Sequence, residues 1–184
     1  IVTAAQDRMH TAAFDVVGED REQLIALLVA WSEAIASMTR GEQIGAGATG
    51  GSYDAPPDDT GEAVGLTAAN LMVTVGFGRS LFLATADDGS QRARFGLEGK
   101  LPAALIELPH FSGDMIEAER SHGDLVVQAC ADDPQVAVHA IRNLSRLGFG
   151  TVRVRWSQIG FGRTAKTTTA QVTPRNLFGF KDGT

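Results

Sequence analysis

The residue with the clearest chemical promise stands near the end of the sequence. Asp182 lies in RNLFGFKDGT (175–184), three residues after Gly179 and directly before Gly183. A carboxylate is a residue type that can act in proton transfer. Taken alone, Asp182-Gly183 reads as an ordinary turn signal. Gly45, Gly47 and Gly50 satisfy G-x-G-x-x-G, but they follow a helical pattern, not a strand, and no helix start comes after them. That is the wrong context for dinucleotide phosphates. Asp54, Asp58, Asp59 and Glu62 could offer oxygens to a hard cation, yet their spacing fits no EF-hand loop and Pro56 and Pro57 intervene. The expectation there is a solvated acidic loop. His10, His110, His122 and His139 form no pair at ligand spacing and none sits beside a cysteine, so each reads as structural or exposed and no metal site is expected. Cys130, the single cysteine, lies in the apolar run DLVVQACA and reads as a buried packing thiol.

The elements that must position these residues follow from periodicity. Ala12, Phe14 and Val16 alternate with Thr11, Ala13 and Asp15, which predicts a strand over 10–17. Asp20 and Gln23 stand at capping-box spacing. Leu24, Leu27, Leu28, Trp31, Ile35 and Met38 then recur every three or four residues, and Gly41 ends that helix. Residues 41–68 form a long loop rich in Gly, Pro and Asp, of a length that is usually functional or mobile. A second strand spans about 70–76, an irregular stretch with short helical turns covers 77–123, and a third strand covers 124–131. Asp133 and Pro134 start a second helix with Val136, Ala137, Ala140, Ile141, Leu144 and Leu147 on its apolar side, and Gly148 stops it. A fourth strand covers 151–159, where Val152, Val154 and Trp156 alternate with Arg153, Arg155 and Ser157. Trp31 and Trp156 both take core-facing positions in these patterns. The order β-α-β-β-α-β is the split βαβ, ferredoxin-like α+β fold: a four-stranded antiparallel sheet with two helices on one face. It predicts a domain over 1–160 and a connecting segment over 161–184 that carries Asp182.

Composition bounds the partners. With 184 residues, 43% hydrophobic and 21% charged, the chain has the makings of a packed core. Its net charge of -6 and the absence of a basic stripe speak against nucleic acid. No apolar run approaches the ~20 residues of a membrane span. The opening IVTAAQDRMH has neither a basic nor an apolar leader region, so the sequence is expected to start inside a mature domain or after a removed leader.

RNLFGFKDGT resembles the distal-site segment of dye-decolourising peroxidases, whose signature G-x-x-D-G reads here Gly179-Phe180-Lys181-Asp182-Gly183. YDAPPDDTGEA (53–63), VTVGFGRSLF (73–82), GDLVVQACADDPQVAVHAIRNL (123–144) and VRWSQIGFGR (154–163) are similar to the same family in the same order, so the resemblance covers nearly the whole chain. It is strongest to the exported bacterial subgroup carried folded by the twin-arginine route, some of whose members accompany iron-uptake systems. The resemblance implies two ferredoxin-like domains with haem b between them, this chain being the first. It implies that Asp182 lies over the distal haem face and that Gly183 and Thr184 approach the haem near a propionate. Hydrogen peroxide and an organic reducing substrate, a dye or a phenol, would be the reactants. Activating peroxide needs a proton moved from the inner to the outer oxygen. An Asp with a pKa near 3.9 stays ionised in mild acid, where a histidine near 6.5 is mostly protonated. The family's axial histidine and distal arginine lie beyond Asp182, so both are expected outside this chain, on the C-terminal half of the same protein. Two other readings stand beside the peroxidase: a haem- or iron-binding protein of iron uptake with little turnover, and a non-catalytic ferredoxin-like domain that forms homo-oligomers.

Overall fold

Strict alternation builds β1 (Arg8–Val16), which buries His10, Ala12, Phe14 and Val16 on one side. The computed structural model describes residues 5–49, 52–86, 88–161, 175–176 and 178–181. Asp20 caps α1 (Arg21–Thr39), its side chain accepting from the amides of Glu22 at 2.9 Å and Gln23 at 3.4 Å. Leu24, Leu27, Trp31, Ala34 and Met38 form the buried stripe of α1. After the long loop come β2 (Met72–Phe77), the single turn α2 (Arg79–Phe82), and a small hairpin of β3 (Leu83–Thr85) and β4 (Gln91–Ala93). That hairpin and a 3-10 turn at Ala118–Arg120 fall in the stretch expected to be irregular. β5 (Leu125–Ala131), α3 (Pro134–Leu147) and β6 (Val152–Phe161) complete the order. Asp133 caps α3 by accepting from the amides of Gln135 at 2.7 Å and Val136 at 3.4 Å.

The main sheet runs β2-β5-β1-β6 with every neighbouring pair antiparallel, as the ferredoxin-like expectation requires. Both long helices pack on one face, over a core that includes Phe14, Trp31, Leu125, Val127 and Leu144. Trp31 joins the layers: its ring lies 5.3 Å from that of Phe14, and its indole N–H donates to the carbonyl of Leu144 on α3 at 2.8 Å. At one end of the sheet a buried ion pair ties three segments. Arg94 donates to Asp124 Oδ2 at 3.0 Å and to the carbonyl of Ser80 at 2.7 Å, and the same Oδ2 accepts the amide of Val16 at 2.9 Å. Gly78 is required beside it, because a Cβ there would stand 2.0 Å from the carbonyl oxygen of Gly123.

Two expectations are corrected. A β-bulge between Ala13 and Phe14 pairs Ala13 with Trp156 but Phe14 with Val154, leaving Arg155 as the extra residue. The bulge reverses the parity of β6. Trp156 therefore lies on the face away from the helices, half-buried, where its indole N–H donates to the carbonyl of His122 at 2.9 Å. Cys130 is not in the core either. Leu125, Val127, Ala129 and Ala131 take the helix side of β5, so Cys130 falls with Val126 and Gln128 on the opposite face, half-buried.

Candidate functional site

Asp182, Gly183 and Thr184 lie outside the described residues. What is described is the turn leading into them. Arg175 and Lys181 form an antiparallel bridge. Between them Asn176 donates its amide to the carbonyl of Phe180 at 2.9 Å, and its own carbonyl accepts from the amide of Gly179 at 2.9 Å. Its side-chain oxygen accepts from the amides of Phe178 at 3.0 Å and Phe180 at 3.1 Å. The Arg175 guanidinium adds a bond to the carbonyl of Gly179 at 2.7 Å. Gly179 has φ +83°, a left-handed conformation that favours glycine, which explains the first glycine of G-x-x-D-G. Phe178 and Phe180 are exposed. Sequence reasoning picked out Asp182 but missed Asn176; an Asn three residues before a Gly is the turn signal that could have found it.

The acidic loop is solvated at Asp54 and Asp58, as expected, but not at Asp59, which is fully enclosed and accepts from His139 Nε2 at 2.8 Å, the amide of Ile44 at 3.0 Å and the amide of Gly61 at 2.7 Å. Burial raises its carboxyl, but the bonds from His139, Ile44 and Gly61 outweigh that and hold it below the usual carboxylate range. Asn143, one turn after His139 on α3, donates to the Thr60 hydroxyl at 2.8 Å and accepts the Thr60 amide at 3.2 Å. Arg142 pairs with Glu62 at 2.9 Å. The reason for the correction is docking: α3 supplies polar partners that the loop's own sequence does not reveal.

These contacts decide what the histidines can do. His139 is committed to Asp59. His10 is buried on β1 with Nδ1 lacking a hydrogen-bond partner among the described residues, and burial lowers its pKa. His110 and His122 are exposed. No group of three His, Cys, Asp or Glu among the described residues is placed to hold a metal. Gly45 and Gly47 adopt positive φ within the docked loop, Gly45 backing onto Asp58, and among the described residues no helix begins directly after them; Gly50 lies outside the described residues.

The sheet face away from the helices is a further surface to consider. Met9, Thr11, Met72, Thr74, Gln128, Cys130 and Gln158 share it, and Thr74, Gln128 and Gln158 are exposed. The segment that follows the 3-10 turn meets it at Trp156, and neither α1 nor α3 covers it; it is of mixed polarity, unlike the helix side. No described helix is long and apolar enough to cross a membrane.

Comparison with known proteins gives a consistent result. The family described as "Dyp-type peroxidase, N-terminal" matches residues 1–162. A protein named Deferrochelatase from Yersinia pseudotuberculosis is 35% identical over 186 residues, covering 100% of this chain and 40% of the relative. The protein of that name from Escherichia coli strain K12 is 34% identical and is covered over 41% of its length. Among solved structures, a DyP-type peroxidase from Streptomyces coelicolor is 38% identical with a TM-score of 0.80, covering all of this chain and 44% of that one. DtpA from Streptomyces lividans, solved as an oxyferrous complex, is 38% identical with a TM-score of 0.79 and the same coverage. The chain thus spans about two-fifths of the length of the relatives it matches.

Proposed function

Because the chain belongs to the Dyp-type peroxidase family and covers its N-terminal part, we propose that it is the distal-side portion of a haem b peroxidase that uses hydrogen peroxide to oxidise dyes or phenolic donors. The observation that carries this is the family match over residues 1–162, with the bonded turn closed by Arg175 and Lys181 directly preceding the aspartate of G-x-x-D-G in sequence.

The support for a distal role is the sequence motif, in which Asp182 directly follows the bonded turn; a carboxylate there would suit proton transfer. Among the described residues His139 is bound to Asp59, His10 is enclosed on the helix side of the sheet, and His110 and His122 lie exposed on the surface, so none is set in a built haem pocket. The iron ligand and the distal arginine would come from the remainder of the protein. Asp182, Gly183 and Thr184 would contact the haem. When bound, the haem supplies the electrons that peroxide takes up and recovers them from the reducing substrate. Asp182 supplies the proton path, its carboxylate taking the proton from the inner peroxide oxygen and returning it to the outer one, so that water leaves. Glycine at 183 admits the backbone close to a flat macrocycle.

The test is the full-length, haem-loaded protein with Asp182→Asn. Loss of the base should slow reaction with peroxide by about 10²–10⁴-fold at unchanged haem content, measured by stopped-flow absorbance. Wild-type speed in the variant would remove Asp182 from this role.

The relatives named Deferrochelatase favour a second reading, haem or iron handling linked to iron uptake with little peroxide turnover. Equal haem loading with negligible peroxide reactivity would select it. Export by the twin-arginine route belongs to the proposal through the subgroup resemblance. Fractionation of the source cells tests it, and a wholly cytoplasmic mature protein would refute it.

A further inference from the structure

We draw no further inference here: the strongest candidate, the buried side-chain cluster in which Asp59 and Thr60 of the long loop meet His139 and Asn143 of α3, serves to dock that loop on the helix and carries no function beyond the contacts already described.

Discussion

Asp59 shows how far a single residue can depart from its sequence context. Read along the chain it is one of four acids in a Pro-rich loop. In space it is the most enclosed carboxylate among the described residues, with three donors on it. Nothing in the loop reveals this, because its chief partner, His139, lies 80 residues away. Its carboxyl is depressed in the folded chain, so the stability it contributes is full above the ordinary value near 3.8 and is lost as pH falls through the folded value. Asp59→Asn should lower the unfolding free energy at neutral pH by about 3 kcal/mol, as expected for one partner removed from a buried pair. It should also flatten the fall in stability below pH 3.8. Urea denaturation across pH 3–7 reads both effects, and parallel curves for variant and wild type would contradict the account. The catalytic candidate was legible for a different reason. Asp182 sits in a motif whose residues are contiguous, so linear sequence carries it, whereas Asn176 became visible only through the bonds its side chain accepts.

Elements were legible where their signals are local. Asp133 and Pro134 announce α3, and the structure shows the cap bond to Gln135 at 2.7 Å. Asp133→Ala should cost about 1 kcal/mol, a drop in thermal midpoint with unchanged far-UV circular dichroism below the transition. A loss of helix signal at low temperature would mean that the cap does more than terminate the helix. Both long helices, the four main strands and the glycine after α1 follow from period and punctuation. Parity on β6 did not, because a bulge is a property of two strands. Ala13 and Trp156 face each other and then the register slips to Phe14 and Val154. An alternating pattern in one strand holds no record of the extra residue. The β3–β4 hairpin was missed because three-residue strands are too short to show a period.

At the scale of the molecule, the order of elements predicted the sheet order, since a split βαβ arrangement leaves few antiparallel solutions. What it could not supply is the other wall of the site. The chain spans about two-fifths of its relatives and offers no free histidine in a built pocket among the described residues. Haemin added to these 184 residues alone should therefore give no sharp stoichiometric Soret band, while the full-length protein should give one at a 1:1 ratio. A sharp band with the short chain would place an axial ligand within it. The sheet order also makes β6 an outermost strand, ten residues long, and Val154, Ile159 and Phe161 along it are exposed. Among the described residues no strand pairs with its outer side, and an edge of that kind is a template for strand addition by another chain. Strand addition there would lengthen the sheet without disturbing the core on its helix side, because backbone groups and not side chains supply the contacts.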